Sequence, residues 1–294
     1  MPEAFIRYMR ATPQDMKEAI ERAPFAYVPL GALEWHGEQN VLGLDSIKAE
    51  FICERAAEKT GGVVFPVIQW GAYDPLNFPY TFRFPRCLMR RMLEDLAVQL
   101  KDMGFELAVF LSGHYPPTQI RHLKGMSRRL SKKHSGFYVL GLPEFVFAGD
   151  IDYLGDHAAM WETSMMMAID PSLVHLENLP EGLNFAERAI AHGVFGRHPR
   201  SGASTGLGNL ALDTIVTRLA GLVTETHVCR SLEPYEKALK EFDKIYYGTF
   251  NPFGLKRIFI NQGIGSVREG IEFFLWSLFK KGKYNPGYRY PGKK

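Results

Sequence analysis

Between about residues 25 and 230, apolar and polar positions form segments of two kinds that alternate along the chain. Short and nearly continuous apolar runs at 25–33, 62–68, 105–112 and 137–142 have the pattern of strands buried on both faces. The intervening segments 46–59, 86–104 and 118–134 have amphipathic helical periodicity. Strands that alternate with crossover helices pair in parallel, so the pattern predicts an α/β fold with helices on both faces of a mostly parallel sheet.

The pattern changes after about residue 230. Helical periodicity continues at 231–248 and 266–282, and the tail that follows is rich in Pro, Gly, Tyr and Lys. We therefore predict a main domain over residues 1–230 and a C-terminal helical extension over 231–294, which packs on the domain or on a neighbouring subunit. We interpret the Phe and Trp residues of the second helix as core or interface positions rather than lipid anchors.

Composition narrows the classes of function. The 294 residues are 46% hydrophobic and 23% charged, as in ordinary globular proteins, and the formal net charge is only +3. No basic run is interleaved with stacking aromatic residues, so we expect no nucleic-acid partner. The N-terminus lacks the apolar core of a signal peptide, no segment is long enough to span a bilayer, and the three cysteines form no pair. We expect a cytoplasmic protein with no membrane association.

Candidate metal ligands follow the first predicted strand. Glu34 and His36 come directly after the run at 25–33, and their spacing puts both side chains on the same side of an extended backbone. Open α/β sheets bind ligands beyond the carboxyl ends of their strands. Asp45 comes next, immediately before a predicted helix, where a helix N-cap and a metal ligand are equally good interpretations.

A second strand repeats this arrangement, because His114 follows the run at 105–112. Two strands that bring imidazole and carboxylate groups to one sheet edge favour a site for Zn²⁺, Mn²⁺ or Fe²⁺, and a carboxylate such as Asp45 can bridge two ions. A third segment, 155–167, contains Asp156, His157 and Glu162 at a predicted helix start. These three side chains can join the same site or simply begin a capped amphipathic helix.

These motifs together resemble the creatininase (creatinine amidohydrolase) family. The resemblance covers roughly residues 25 to 225, including a glycine-rich segment at 202–209 that corresponds to the turn before the last long helix of that family. The motifs that carry it are Glu34-x-His36-Gly37, Asp45, Gly113-His114, Asp156-His157-Ala158 and Glu162-Thr163-Ser164. The resemblance implies a three-layer α/β/α sandwich, and a cytoplasmic, often hexameric hydrolase that opens cyclic or linear amide bonds with two divalent metal ions.

Carried over residue by residue, the resemblance implies that Glu34 and His114 bind one ion, that His36 binds the other, and that Asp45 bridges them. We expect Zn²⁺, with Mn²⁺ or Fe²⁺ as alternatives. Creatininases proper carry a glutamate ligand two residues after the histidine that matches His114, and this chain has Pro116 there. Glu162 is the candidate for the missing ligand.

Other departures bear on the substrate. Ser112 and Gln39 replace a common Asn and a common His, and Tyr153-Leu154 stands where creatininases proper have a Trp-Asp pair that closes over creatinine. The family's His-x-x-Phe-Pro-Gly-Thr segment appears here as residues 77–81. We therefore expect a small-molecule amide other than creatinine. Two alternatives stay open: a deformylase-type C–N hydrolase of a biosynthetic pathway, and a degenerate homologue with a binding or assembly role.

The expected mechanism is attack by a metal-activated water on the amide carbonyl. His157 is the expected proton shuttle to the leaving nitrogen, because an imidazole titrates near working pH. We expect Tyr115 and Tyr153 to line the substrate pocket, and we expect a homo-oligomer.

Overall fold

A computed structural model describes residues 4–71, 78–247, 262–279 and 285–287 of the protein. Its centre is one five-stranded sheet with the strand order β1-β3-β2-β4-β5, in which every described pair of neighbours is parallel. The strands are β1 (Ile6–Arg7), β2 (Phe25–Leu30), β3 (Val63–Val64), β4 (Leu107–Ser112) and β5 (Tyr138–Pro143). The predicted parallel sheet is therefore confirmed.

Helices connect and cover the strands. They are α1 (Pro13–Arg22), α2 (Leu44–Thr60), α3 (Arg86–Asp102), α4 (Pro117–Lys133), α5 (Met160–Ile169), α6 (Phe185–His192), α7 (Pro199–Gly202), α8 (Thr205–Cys229), α9 (Glu233–Tyr247) and α10 (Val267–Phe279). Short 3₁₀ turns occur at Tyr8–Arg10, Glu144–Phe147, Gly149–Ile151, Pro171–Leu173 and Leu176–Asn178.

Side chains that alternate along each strand fill two separate cores. On β4, Leu107, Val109 and Leu111 pack in the core that contains residues of α2, α8 and α9. Ala108 and Phe110 pack in the other core, with residues of α1, α3 and α4. Both faces of the sheet are covered, which explains the continuous apolar runs and confirms the three-layer α/β/α sandwich.

The structure differs from the predictions at several element boundaries. The predicted strand at 62–68 is reduced to Val63–Val64 plus a single bridge between Leu30 and Ile68. Helix α2 begins at Leu44, with Gly43 as its N-cap, so Asp45 lies inside the first turn and is not the N-cap. β1 and α1 were not predicted, because a two-residue edge strand and a mostly exposed helix carry little hydrophobic signal.

Both predicted C-terminal helices are present. Helix α9 packs on α8, and α10 packs on α6. Within the described residues, no helix combines the length and the apolar character needed to cross a membrane. Asn77 of the family-like segment, and most of the chain between and after these two helices (248–261, 280–284 and 288–294), lie outside the described residues.

Candidate metal centre

The ends of the two central strands bring the candidate ligands together. Leu30 of β2 is the register partner of Ser112 of β4, so the segments that carry Glu34 and His114 leave the sheet side by side. The first turn of α2 packs directly against this edge. A Cβ atom at Gly113 would lie 2.3 Å from the carbonyl oxygen of Asp45, so only glycine allows this approach.

The first group of donors consists of Glu34, Asp45 and His114. His114 Nδ1 lies 2.9 Å from Glu34 Oε2 and 3.2 Å from Asp45 Oδ2. All three side chains are buried. Their ligand atoms lie within 4.8 Å of one another, which is close enough to hold a single metal ion. This is the set that the resemblance implied for one ion, with Asp45 added as the bridge.

The second group consists of His36, Asp45 and Glu162. His36 Nε2 lies 3.1 Å from Asp45 Oδ1 and 3.7 Å from Glu162 Oε2. These donor atoms also lie within 4.8 Å of one another. Asp45 is common to both groups and directs one oxygen to each, which is the geometry of a bridging carboxylate.

The chemistry of these atoms fits a cation. His36 Nδ1 lies 3.0 Å from the carbonyl oxygen of Glu34, and because a carbonyl only accepts, Nδ1 carries a proton and Nε2 is the ring nitrogen that faces Asp45 and can bind a metal ion once it is deprotonated. His36 Nε2 and Asp45 Oδ2 are buried and face other donor atoms of the two groups rather than a well-aligned hydrogen-bond partner among the described residues. Buried polar atoms of this kind need a partner, and a divalent ion between nitrogen and oxygen donors supplies one.

Electrostatics lead to the same conclusion. Burial disfavours the charged form of His36, but Asp45 and Glu162 outweigh that effect and raise the pKa of the imidazole to about 9. Burial likewise opposes ionisation of Glu34, whereas His114 and His157 lower the pKa of that carboxyl. The site therefore attracts positive charge.

His157 lies beside both groups. Its ring centroid is 4.3 Å from that of His36, and it packs against Phe78 and Phe195 in a cluster of three rings, at 5.4 Å from each. Its Nε2 lies 3.2 Å from the carbonyl oxygen of Trp35. Together with Glu34 and His36 it also forms a third possible donor set. Burial and the neighbouring His36 lower the pKa of His157, so its imidazole is neutral near pH 7.

Asp156 has a structural role at the start of α5, the alternative to a place in the site. Its carboxylate accepts hydrogen bonds from the backbone N–H of Trp161 (2.8 Å) and of Glu162 (3.2 Å). It thereby holds the first turn of α5, and this fixes the backbone of Glu162 against the site. His157 itself precedes the helix, in an isolated bridge with Phe195.

The two tyrosines expected in a substrate pocket point towards buried carboxylates. Tyr153 is fully buried and donates a hydrogen bond to Glu144 Oε1 (2.8 Å). The hydroxyl of Tyr115, which is half-buried, donates to Glu162 Oε1 and lies 2.7 Å from the carbonyl oxygen of Asp156. Contact of either ring with a substrate stays a prediction.

Lys48 and Glu144 lie beside the site, outside both donor groups, and were not predicted. Lys48 Nζ is fully buried and lies 2.6 Å from Glu162 Oε1 and 2.8 Å from Glu144 Oε1. Both residues carried a usable signal in the sequence. Lys48 occupies the core-facing row Leu44–Lys48–Ile52 of α2, where a charged residue needs a partner. Glu144 directly follows β5, at the same sheet edge as the other candidates.

The departures at Pro116 and Ser112 have structural roles. Pro116 is the N-cap of α4, and it has no donor atom to offer a metal ion. Ser112 Oγ donates to the carbonyl of His114 and accepts a hydrogen bond from Gln119 Nε2 (2.9 Å). Gln119 also donates to the carbonyl oxygen of His114 (3.1 Å), so the turn that presents this histidine is held from both sides.

Comparison with known proteins identifies the family. The creatininase family model, described as creatinine amidohydrolase, matches residues 9–223. The chain belongs to the creatininase family. Its members are hydrolases that act on amide C–N bonds, so the expectation of a hydrolase is confirmed at the level of the family.

Individual relatives agree with this assignment. A creatinine amidohydrolase from Pseudomonas putida is 27% identical over 174 residues, which cover 52% of this chain and 66% of that relative, just under two thirds of its length. A crystal structure of creatinine amidohydrolase superimposes with a TM-score of 0.66 at 23% identity and covers 77% of this chain and 99% of its own. A mutant creatininase described as the Zn-Zn type has a TM-score of 0.60 at 22% identity, with coverage of 77% and 99%. At these identities the two structures establish the creatininase fold.

Proposed function

We propose that the protein is a metal-dependent amidohydrolase that hydrolyses a cyclic or linear amide C–N bond of a small molecule. One observation carries the proposal: two three-donor sets, in a buried region at the strand ends, share Asp45. Mixed nitrogen and carboxylate donors of this kind suit a pair of divalent ions, with Zn²⁺ as the first candidate and Mn²⁺ or Fe²⁺ as alternatives.

The proposed ligands follow from the two sets. Glu34 and His114 would hold one ion, His36 and Glu162 the other, and Asp45 would bridge them. When bound, such ions act as Lewis acids that polarise a carbonyl group and lower the pKa of water.

His157 is the proposed proton shuttle. The carbonyl of Trp35 accepts from Nε2, so this tautomer leaves the lone pair on Nδ1. Net hydrolysis requires one proton to leave the attacking water and one to reach the departing nitrogen, and a neutral imidazole can take up the first and deliver the second. Stacking on Phe78 and Phe195 holds the ring in one plane while it does so.

We also propose that the protein works as a homo-oligomer, a hexamer by analogy with the family, in a reducing cytoplasm. All three cysteines are free thiols, and Cys53 is buried in the core. Helix α10 exposes Phe274, Leu278 and Phe279, which are apolar side chains of the kind that subunit interfaces cover. Light scattering of the purified protein measures the oligomeric state directly.

A substrate screen tests the proposed activity. The panel should contain cyclic amides including creatinine, linear amides, and N-formyl compounds as substrates for a deformylase. We expect hydrolysis of at least one class by the wild type, loss of that activity on chelation, recovery with Zn²⁺ or Mn²⁺, and no activity in Glu34→Gln. If metal-loaded wild type hydrolyses nothing while it binds one of these compounds, a non-catalytic binding role replaces the proposal.

A further inference from the structure

The two carboxylate oxygens of Glu162 have different surroundings. Oε2 is directed to the candidate metal centre, 3.7 Å from His36 Nε2, and it accepts a hydrogen bond from the backbone N–H of Ala158 at 2.8 Å. Oε1 points the other way, into the interior, where it accepts hydrogen bonds from Lys48 Nζ and from the hydroxyl of Tyr115. A carboxylate held at both oxygens cannot rotate about its terminal bond without losing these contacts.

Lys48 is an unusual residue to find in this position. It is fully buried, and its ammonium lies between two buried carboxylates, 2.6 Å from Glu162 and 2.8 Å from Glu144. It also lies 5.0 Å from the ring centroid of Tyr115. A lone ammonium in this environment would be strongly disfavoured, so the lysine is retained only together with its partners.

The second metal site depends on this contact. Without Glu162, His36 and Asp45 offer only two protein ligands, whereas catalytic zinc sites keep three and leave one position open. Pro116, the N-cap of α4, cannot supply the third, because its side chain has no donor atom. If Lys48 were absent, Glu162 and Glu144 would face one another as unscreened buried anions, and Glu162 would turn away from its neighbour.

We propose that Lys48, assisted by Tyr115, is a positioning residue that fixes Oε1 of Glu162 and thereby presents Oε2 as the third ligand of the second metal site. This inference rests on the proposed function, because it presupposes a two-ion centre. Lys48 would therefore affect metal binding without touching an ion. Partners that orient a ligand in this way typically contribute 10- to 100-fold to metal affinity, so about that loss is expected without them.

The test is a metal titration of a charge-balanced double variant, Lys48→Met with Glu144→Gln. Removing one cation and one anion leaves the net charge of the cluster unchanged and avoids two facing buried carboxylates, while Glu162 loses its ammonium partner. Calorimetric titration of the metal-free variant with Zn²⁺ should show an unchanged affinity for the first ion. The affinity for the second ion should fall by roughly 10- to 100-fold. Glu144→Gln alone is the matched control. It keeps the contact between Lys48 and Glu162 and should bind both ions as the wild type does.

Each other outcome has a definite meaning. If wild type and double variant bind two ions with equal affinity, the positioning role of Lys48 is overturned and the two-ion hydrolase stands. If the wild type itself binds fewer than two ions, both proposals fail. If the double variant does not fold, Tyr115→Phe decides, because it removes the second hydrogen bond to Oε1 without changing charge. A lower affinity of Tyr115→Phe for the second ion supports the inference, and an unchanged affinity overturns it.

Discussion

Asp45 and His36 meet beyond the buried end of β2 with Oδ1 and Nε2 3.1 Å apart, and because His36 Nδ1 donates to the carbonyl oxygen of Glu34, Nε2 is the ring atom that faces the aspartate. Without a metal ion, the raised pKa of His36 keeps a proton on Nε2 between these two atoms, and a divalent ion would displace that proton and take both atoms as ligands. The other oxygen of Asp45 faces His114 in the same way, at 3.2 Å. One carboxylate is therefore common to both parts of the centre.

Replacement of His157 by alanine should separate catalysis from metal binding. If His157 carries protons, turnover falls by roughly 10²–10⁴-fold while the metal content stays at its wild-type value. The measurement is steady-state turnover on the substrate found by screening, together with elemental analysis of the same preparation. Loss of an ion from His157→Ala would instead make His157 a ligand, which the third donor set with Glu34 and His36 allows.

Lys48→Met alone should destabilise the fold strongly. It leaves Glu144 and Glu162 buried without their shared cation, and removal of one partner from a buried ionic group costs about 3–5 kcal/mol in the free energy of unfolding. Denaturant unfolding of the metal-free protein measures this loss. The double variant with Glu144→Gln should recover part of it, because only Glu162 then lacks its cation, and equal stability of the single and double variants would contradict the charge argument.

How far the sequence predicted this site depends on where each residue lies. Glu34, His36 and His114 follow the ends of buried apolar runs, and parallel strands end at one edge, so pattern alone brought them together. Lys48 was missed because it lies in the middle of a helix, where periodicity predicts a core position and gives no hint of an ionic partner more than a hundred residues away. That partnership depends on the packing of α5 against α2, which only tertiary structure specifies.

The tyrosines illustrate the same limit. Their position beside Asp156 and His157, or directly after His114, correctly indicates nearness to the centre, but not the direction of the hydroxyl groups. The carboxylates that they contact, Glu144 and Glu162, come from two further elements. Likewise, β1 is a two-residue edge strand whose pairing with β3 leaves no periodic signal in the sequence.

The C-terminal helix α10 should influence turnover, although it lies outside the part of the chain that matches the family model. Trp276 is buried against Phe195, and Phe195 stacks on His157 and exchanges two backbone hydrogen bonds with it, at 2.9 and 2.8 Å. We expect Trp276→Ala to lower turnover on the order of 10- to 100-fold with unchanged metal content, because His157 loses its support. Val267→Ala, at an exposed position of the same helix, is the control, and equal turnover in the two variants would refute this role.

An acidic-pH experiment tests the ion pair between Asp150, in the 3₁₀ turn Gly149–Ile151, and Arg218 of α8. Arg218 donates to both oxygens of Asp150 at 2.7 and 2.8 Å, and these hydrogen bonds hold the pKa of Asp150 below its usual 3.8. A lowered folded pKa means that the stabilisation is present above about 3.8 and is lost as pH falls through the folded value. Asp150→Asn should therefore lose roughly 0.2–1 kcal/mol near neutral pH, because the pair is half-exposed.

Denaturant unfolding of both proteins at about pH 7 and at about pH 3 measures this difference. The gap between wild type and Asp150→Asn should shrink at the lower pH. A gap that stays constant or widens on acidification would show that Asp150 contributes through something other than its charge.

The most direct test of the two-ion centre is the metal content of protein purified without chelator. Elemental analysis compares the wild type with Asp45→Ala. Because Asp45 serves both donor sets, a two-ion centre predicts about two divalent ions per wild-type chain and loss of both in the variant. A wild type that is metal-free and takes up neither Zn²⁺ nor Mn²⁺, or a variant that keeps both ions, would contradict the two-ion centre.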